Sequence, residues 1–383
     1  MNRDSLEQIV NPLLDWYREH ARVLPWRQDR GLIKSSEGGW KEVPDAVPYR
    51  VWISEIMLQQ TRVEAVIPYY ERFMQYCPDI QSLARTPEEQ LLKLWEGLGY
   101  YSRARNLQKT AQIICRDYEG HFPRSYEEIL RLPGIGPYTA GAIASIAFEA
   151  AEPAVDGNVL RVITRLMEDE GDIQDVQFRR QITDALRAVY PQQERGNFTQ
   201  SIMELGAVVC VPNGNPKCGE CPVCAFCGAY RSGTQLNYPV RKKKRARRIE
   251  EKTVLVLWHR GHIALNRRSK EGVLSGMWEL PNIEGYCDEA AVTQWLLAHG
   301  IALERIEQIP DRKHIFTHIE WHMRCFLVEC SMSAEDAEEG LLTEKSDKSP
   351  FTWVSPEVLA QEIALPTAFK KVVRNLPIPP EYE

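Results

Sequence analysis

The sequence predicts two domains of different fold class: an all-α domain over residues 1–230 and an α+β domain over residues 252–383. Apolar residues recur with helical spacing through the first part, and no strand-like alternation interrupts them. A basic run at 241–248 has no apolar face and is typical of a solvated linker, which we place at 231–251. Beyond it the chain changes to short β-rich runs separated by turn residues.

Apolar spacing and breaking residues define the individual elements. A first helix is predicted over 6–21 and ends before Leu24-Pro25-Trp26-Arg27, and the aperiodic stretch 31–47 is predicted to be a surface loop. Further helices are predicted at 51–62, 63–76, 87–97, 102–118, 126–130, 138–148, 159–167, 178–189 and 198–209. In the second domain we predict strands at 253–258, 262–265, 277–280 and 323–328, and helices at 290–298, 356–363 and 368–375.

Length, charge and apolar content limit the class of protein. A chain of 383 residues is long enough for two or three domains. The sequence has no run of 18 apolar residues and no apolar stretch at its N-terminus, which predicts an intracellular, cytoplasmic protein without a membrane partner. The formal charge of −6 argues against general coating of nucleic acid, although a local site can still bind a phosphate backbone. We expect a monomer.

Two glycines at 134 and 136 lie in the stretch Leu-Pro-Gly-Ile-Gly-Pro-Tyr-Thr-Ala at 132–140. This pattern predicts a helix, a tight turn and a second helix. Unpaired N–H groups at the second helix start would favour an anion such as a DNA phosphate. The alternative is a helix C-cap and loop without a ligand, which these nine residues alone favour.

Half of the ten cysteines lie between positions 210 and 227. Cys210, Cys218, Cys221 and Cys227 are separated by seven, two and five residues, and Cys224 lies inside the last gap. In a reducing compartment this density indicates metal ligation rather than disulfides. Ligand chemistry alone leaves tetrahedral zinc and a 4Fe-4S cluster open.

The glycine turn and the cysteines together resemble the endonuclease III superfamily of DNA glycosylases, which are all-α proteins with a helix-hairpin-helix, a downstream Asp and a four-cysteine cluster. The resemblance implies a 4Fe-4S cluster held by Cys210, Cys218, Cys221 and Cys227, and DNA contacts at the hairpin glycines. The first cysteine gap is one residue longer than the family pattern, which we interpret as a loop insertion. Cys224 is an additional thiol that we expect to be a neighbour of the cluster, with a ligand role as the alternative.

One position indicates the branch of the superfamily. Bifunctional relatives carry a lysine after the hairpin, whose amine forms a Schiff base with the sugar. This chain has Tyr138, and a phenol cannot form that imine. The sequence is similar to the monofunctional, MutY-type adenine glycosylases, and the stretches 54–61 and 97–106 agree with that subfamily nearly letter for letter.

Cleavage of an N-glycosidic bond develops positive charge on the sugar and negative charge on the purine, so two carboxyls of opposite protonation are needed. Our candidates are Glu55 and Asp156. Apolar neighbours on its helix would raise the pKa of Glu55 and keep it a general acid toward adenine N7. Asp156 precedes a predicted helix whose dipole and N–H donors would keep it ionised toward the sugar. The alternatives are a solvated Glu paired with Gln59 or Arg62, and a simple N-cap or Asp-Gly turn.

The resemblance also implies supporting residues. Tyr138 would hydrogen-bond near Asp156, and Asn158 would position the sugar and the attacking water. Trp26 and Arg27 would form the pocket for a flipped adenine, since an extruded base needs a π-face and donors; core packing and a surface charge are the alternatives. Four further residues are implied to fill the gap left by the base or to contact the opposite base, although Leu98 also suits a core. They are Gln60, Thr61, Leu98 and Tyr100.

The C-terminal domain resembles a Nudix fold around Trp278-Glu279-Leu280-Pro281. The stretch 289–300 has too few carboxylates for the magnesium site of a Nudix hydrolase, so we predict a binding module. In adenine glycosylases such a domain reads 8-oxoguanine through a Phe-Ser-His segment. Here Phe316 is followed by Thr317 and His318, and the threonine hydroxyl keeps one donor and one acceptor. A simple strand end is the alternative.

The resulting prediction is a monofunctional adenine DNA glycosylase of base excision repair, acting on double-stranded DNA with adenine opposite 8-oxoguanine or guanine. It would leave an abasic site. We weigh three alternatives against it: a bifunctional endonuclease III-like glycosylase and lyase, a non-catalytic mismatch-binding protein, and a glycosylase fused to an active Nudix hydrolase.

Overall fold

The computed structural model describes residues 6–27, 32–34, 40–42, 45–241, 246–331, 351–374 and 376. The chain divides into two compact units, one made of Met1–Thr86 with Arg105–Lys243 and the other of Pro87–Ala104 with Lys244–Glu383. None of the helices in the described ranges is long and apolar enough to cross a membrane. The basic residues 242–245 of the predicted linker lie outside the described residues.

The first unit is helical, as predicted. Its helices are α1 (Val10–His20), α2 (Ala46–Leu58), α3 (Val63–Tyr76), α4 (Ile80–Arg85), α6 (Ser102–Asp117), α7 (Tyr126–Arg131), α8 (Pro137–Phe148), α9 (Gly157–Met167), α10 (Val176–Arg187), α11 (Arg195–Val208) and α12 (Gly228–Ser232), while α5 (Glu88–Leu94) belongs to the second unit. Most predicted helices lie within a few residues of the observed ones.

Several local features differ from the prediction. The short helices α4 and α12 were not predicted, because six and five residues are too few for a periodic signal; α4 is fixed by a capping box between Asp79 and Ser82. The stretch predicted as the loop 31–47 contains a small antiparallel pair, β1 (Leu32–Lys34) and β2 (Trp40–Glu42), and α2 already begins at Ala46.

The packing of five helices positions the polar residues discussed below. Helix α2 packs on α8, and α11 packs on α1, α8 and α9. The close approach of α8 to the following loop requires Gly141, because a Cβ there would lie 2.3 Å from the carbonyl oxygen of Pro153. Apolar faces of α1, α9, α10 and α11 form a shared core that includes Leu13, Ile163 and Phe198.

The second unit is built on a mixed sheet. Its strands are β3 (Arg248–His259), β4 (His262–Arg267), β5 (Trp278–Glu279), β6 (Asn282–Glu284), β7 (Ala302–Ile315), β8 (Ile319–Ser331) and β9 (Thr352–Val354). The order is β5-β4-β3-β8-β7, with β3 and β8 parallel, β6 pairing with β3 and β9 with β4. Alternate residues of β3 enter two cores, one on each face of the sheet. The helices of the C-terminal part are α13 (Glu289–Ala298), α14 (Pro356–Gln361) and α15 (Thr367–Val373).

Strand β7 was missed by the sequence prediction. It lies at the edge of the sheet and most of its side chains are exposed or half-buried, so its sequence is rich in charges and shows little apolar signal. Pairing with β8 along nearly its whole length, which is a tertiary contact, fixes it as a strand.

Candidate active site and metal loop

A cavity of about 860 Å³ in the first unit brings together residues that are distant in sequence. Eight of the predicted site residues line it: Trp26, Arg27, Glu55, Gln60, Thr61, Tyr138, Asp156 and Asn158. They come from the Pro25–Arg27 turn, from α2 and the loop after it, and from the starts of α8 and α9. The cavity therefore collects the predicted acid, the predicted carboxylate and the predicted base pocket.

Glu55 lies in the most apolar part of α2, between buried Trp52, Ile53, Ile56 and Met57, and is itself only 7% exposed. Burial raises the pKa of its carboxyl to about 7, and the nearby Asp156 adds to this effect. The hydrogen bond from Tyr138 and the charge of Arg27 act in the opposite direction. The predicted raised pKa is confirmed, and a large share of the Glu55 carboxyls carries a proton at neutral pH.

Asp156 is the N-cap of α9, as its position before the helix predicted. Its Oδ1 accepts from the backbone N of Val159 at 2.8 Å, and its Oδ2 accepts from Nδ2 of Asn158 at 2.7 Å. We expected these donors to keep it ionised. They do lower its pKa, as does Arg161, but burial is the larger influence and the pKa of Asp156 is raised from its usual value.

The partner of Tyr138 differs from the expectation. We expected its hydroxyl to bond near Asp156, whereas it donates to Oε2 of Glu55. The packing of α2 on α8 brings these two side chains together although they are 83 positions apart. Tyr138 remains close enough to Asp156 for that carboxyl to raise the pKa of the phenol. The alternative of a solvated Glu55 paired with Gln59 or Arg62 does not fit a side chain that is only 7% exposed.

Asn158 bridges Asp156 to a buried arginine. Its Oδ1 accepts from Nη2 of Arg161 at 2.9 Å, and Arg161 also donates to the carbonyl oxygens of Gly206 at 2.7 Å and Cys210 at 2.7 Å. The amide orientation of Asn158 is therefore fixed from both ends. This restrains the carboxylate of Asp156, to which Asn158 donates.

Gly206 is required by this arrangement, because a Cβ at 206 would lie 2.6 Å from Cβ of Asn158. We expect Gly206→Ala to lower the free energy of unfolding by about 1–3 kcal/mol, since either α11 or Asn158 must move. Denaturant unfolding measures this change. Gly157→Ala is the matched control, because its Cβ would meet no atom within 4 Å; equal stability of the two variants would contradict the prediction.

The predicted base pocket contains a carboxylate that sequence reasoning missed. Trp26 packs edge-on against Tyr70 at 5.3 Å between ring centroids, and Arg27 donates to Oε2 of Glu204 at 2.9 Å. Glu204 belongs to a face of α11 that also presents Gln200 and Met203 to the cavity. The available signal was an acidic residue in a mostly apolar stretch of this helix, four positions after Gln200, so that the two polar residues share one helix face.

The helix-turn-helix at 126–148 is confirmed: α7 ends at Arg131 and α8 begins at Pro137 after Gly136 as N-cap. Gly134 has a φ of +74°, and a Cβ there would lie 2.7 Å from Cβ of Asn106. A side chain is therefore excluded from the turn on two grounds. The contact of this turn with DNA stays a prediction.

The five clustered cysteines line one smaller cavity together with Arg165 and Gln235. All five are free thiols. Arg165 donates through Nη1 to Sγ of Cys210 at 3.2 Å, and Nε2 of Gln235 lies 3.9 Å from Sγ of Cys218. Within the described ranges, no three His, Cys, Asp or Glu side chains lie in an arrangement for one metal ion. Five thiols on the wall of one cavity, two of them near N–H donors, are the type of ligand that an iron–sulfur cluster uses.

The predicted lesion-reading residues lie in the second unit. Thr317 and His318 are exposed at the turn between β7 and β8, next to Phe316, which packs edge-on against Trp321. The hydroxyl of Thr317 is 2.8 Å from that of Tyr100, a residue of the same unit. Tyr100 is 48% exposed, whereas Leu98 is 7% exposed, as a core residue would be. The wedge role of Leu98 stays a prediction.

Comparisons with known proteins agree with both units. The family model described as HhH-GPD superfamily base excision DNA repair protein matches residues 53–188, and the NUDIX domain model matches residues 253–375. A solved thermostable thymine-DNA glycosylase is similar with a TM-score of 0.51 and 26% identity, over 60% of this chain and 98% of its own.

Curated relatives cover most of the chain. The adenine DNA glycosylase of Buchnera aphidicola subsp. Schizaphis graminum is 32% identical over 83% of this chain and 87% of its own length. The human adenine DNA glycosylase is 33% identical over 94% of this chain and 72% of its own length. This chain therefore belongs to the adenine DNA glycosylase family of base excision repair enzymes.

Proposed function

We propose that this glycosylase hydrolyses the N-glycosidic bond of adenine opposite 8-oxoguanine or guanine in double-stranded DNA and leaves an abasic site. The observation that supports this most directly is that Glu55, whose pKa of about 7 allows it to carry a proton, and Asp156 both line one cavity. Tyr138 in the position of the lyase lysine supports monofunctional chemistry, because a phenol forms no imine with the sugar.

In the proposed reaction the bond between C1′ and N9 breaks, and its electron pair stays on the purine. Glu55 gives its proton to N7, which makes the base a better leaving group. Asp156, in its ionised form, stabilises the oxocarbenium-like sugar, and Asn158 orients Asp156 and the attacking water. Water then bonds to C1′ and its proton passes to the Glu55 carboxylate, which restores the acid.

The pocket for the flipped adenine is proposed to be formed by Trp26 and Arg27, an aromatic face beside a cation. Gln60 and Thr61, in the loop after α2, are proposed to contact the DNA strand around the gap. For the second unit, Leu98 and Tyr100 are proposed separately as DNA-contacting residues. Thr317 and His318 are proposed to read the oxidised guanine. The exposure of both residues at a turn, with the Thr317 hydroxyl beside Tyr100, supports that role.

A 4Fe-4S cluster is the proposed cofactor, held by Cys210, Cys218, Cys221 and Cys227. When bound, it would cross-link the loop 210–227, whose Lys217 is suited to a phosphate contact. We expect Cys218→Ser to lose most of the iron and acid-labile sulfide of the purified protein, and Cys224→Ser to keep both. A colourless protein that contains zinc instead would contradict the assignment.

The pH dependence of base release tests the role of Tyr138. Its hydrogen bond lowers the pKa of Glu55, so Tyr138→Phe should raise that pKa further. Because Glu55 acts in its protonated form, the fall in rate above about pH 7 should move to higher pH, by about one unit for a hydrogen bond to a charged group. Single-turnover rates between pH 5 and 9 measure this shift, and a limb that moves to lower pH would contradict it.

The experiment that tests the proposed function is base release from duplexes carrying adenine opposite 8-oxoguanine, guanine, cytosine or thymine. We expect free adenine from the first two and an intact strand until alkali is added. Borohydride should trap little or no covalent adduct, whereas abundant adduct would favour the bifunctional alternative. Binding without release would favour the mismatch-binding alternative, and magnesium-dependent nucleotide hydrolysis would favour an active Nudix domain.

A further inference from the structure

The buried carboxylate of Glu204 is not used in the proposed reaction, yet it faces the same cavity as Glu55 and Asp156. Its side chain is 1% exposed. Oε1 accepts from the backbone N of Arg22 at 3.2 Å and from Nε of Arg22 at 2.5 Å. Oε2 accepts from Nη2 of Arg22 at 3.1 Å and from Nη2 of Arg27 at 2.9 Å.

These bonds occupy the carboxylate fully. A carboxylate offers about four lone-pair positions, and four donors fill those of Glu204. Burial acts to raise the pKa of Glu204, but the hydrogen bonds and charges of Arg22 and Arg27 together outweigh it, so the pKa is lowered and the ionised form is favoured. With no acceptor left over, Glu204 is unsuited to contact a base itself. Its influence on a bound base must pass through the arginines.

Arg27 keeps donors for a ligand. In the described part of the chain its bonds are those from Nη2 to Glu204 and from Nη1 to the carbonyl oxygen of Arg22 at 3.2 Å, out of five N–H groups. The guanidinium also lies 5.6 Å from the ring centroid of Tyr17. These contacts fix the plane of the Arg27 guanidinium and leave further N–H groups beside the cavity. The ring nitrogens of a bound purine can accept hydrogen bonds from these groups.

We propose that Glu204 is a positioning residue for base excision. It holds Arg22 and Arg27 so that the Arg27 guanidinium hydrogen-bonds the flipped purine beside the protonated carboxyl of Glu55. This inference rests on the proposed function. It assigns a role to a residue that does not touch the reacting atoms.

The charges around Glu55 predict how removal of Glu204 changes the pH dependence of the reaction. Glu55 is faced by Tyr138 from α8, by Asp156 at the start of α9 and by Arg27 from the Pro25–Arg27 turn. The other charged side chains of the cavity wall are Arg22, Arg50, Arg179 and Glu204. Removing the charge of Glu204 leaves Arg27 less neutralised. The pKa of Glu55 should then fall, and the decline of the rate should begin at lower pH.

The test compares Glu204→Gln with wild type in single-turnover adenine release from an A:8-oxoguanine duplex. We expect a loss of about 10–100-fold in the rate constant, as for a misplaced binding group, with unchanged duplex affinity and a pH limb moved to lower pH. Glu194→Gln is the control, because Glu194, at the N-terminus of α11, pairs with a different arginine, Arg18 of α1, and does not line the cavity. It should leave rate and pH profile unchanged.

A second variant tests the same arrangement without removing the buried carboxylate, so that the test does not depend on whether Glu204→Gln folds. Arg27→Gln leaves Glu204 bonded to Arg22; it should reduce the rate similarly but move the pH limb to higher pH, because a positive charge near Glu55 is lost. The double variant, Glu204→Gln with Arg27→Gln, should release adenine no more slowly than Arg27→Gln alone, since both changes act through the Arg27 guanidinium.

Three results would overturn the proposal. They are additive effects of the two substitutions on the rate, a wild-type rate in Arg27→Gln, and a folded Glu204→Gln whose rate declines at the same pH as that of wild type. Failure of the wild-type protein to release adenine would instead overturn the proposed function, so the two failures are distinguishable.

Discussion

Replacing Glu55 with glutamine should reduce adenine release from an A:8-oxoguanine duplex by about 10³-fold or more, because a general acid typically contributes 10²–10⁴-fold. Glutamine keeps the size of the side chain and can still accept the hydrogen bond from Tyr138, but it has no proton to give to the purine. Single-turnover rates with enzyme in excess measure the chemical step.

Duplex binding by Glu55→Gln should persist, which separates catalysis from docking. Glu64→Gln is the matched control, since Glu64 is an exposed residue in the first turn of the following helix. Activity of Glu55→Gln within tenfold of wild type would show that the proton comes from another group. Equal loss of binding and rate would indicate damage to the fold.

The same carboxyl makes stability depend on pH. Its pKa in the folded protein, about 7, exceeds the ordinary value of 4.5, so the folded state binds the proton more tightly than the unfolded state. The stabilising contribution is complete below the unfolded pKa and is lost as the pH rises through about 7. The difference in unfolding free energy between wild type and Glu55→Gln should therefore become less favourable to wild type between pH 4.5 and 7.

Replacing Asp156 with asparagine should reduce adenine release by about 10²–10³-fold, the typical loss when one electrostatic stabiliser of a transition state is removed. Asparagine caps helices about as well as aspartate, so α9 should still begin at Gly157. The lost feature is the negative charge facing the oxocarbenium-like sugar. Single-turnover rates and circular dichroism separate the two effects.

Asp175→Asn provides a matched control for Asp156→Asn. Asp175 caps α10 with the same geometry, accepting from the backbone N of Phe178 at 2.8 Å, yet it does not line the cavity. We expect a wild-type rate for this variant. If both variants lose activity equally, the effect at Asp156 is capping rather than charge.

Several parts of the site could be predicted from local sequence. The Asp-Gly-Asn order before an apolar helix indicated Asp156 as an N-cap, and the two hairpin glycines predicted the turn into α8. Apolar neighbours along one helix are consistent with a raised pKa of Glu55, but the helical pattern alone favours a solvated carboxylate, and the choice of Glu55 came from the family resemblance. The cap and the turn depend on residues within about one helical turn, where spacing and chemistry determine the structure.

Other parts needed contacts between distant segments. Tyr138 bonds to Glu55 rather than near Asp156, because α2 packs on α8, and periodicity does not specify which helices meet. Glu204 gained a role only when α11 placed it against Arg22 and Arg27, about 180 positions earlier. Strand β7 likewise carried little apolar signal of its own.

By itself, the sequence determined the two fold classes, nearly all helix positions, the cysteine spacing and the candidate acid and carboxylate. Only the tertiary structure decided which groups share the cavity, and therefore which partners raise or lower each pKa. The physical reason is range. Helix formation depends on neighbours three or four positions away, whereas burial and Coulomb interactions depend on distances in space that chain order does not encode.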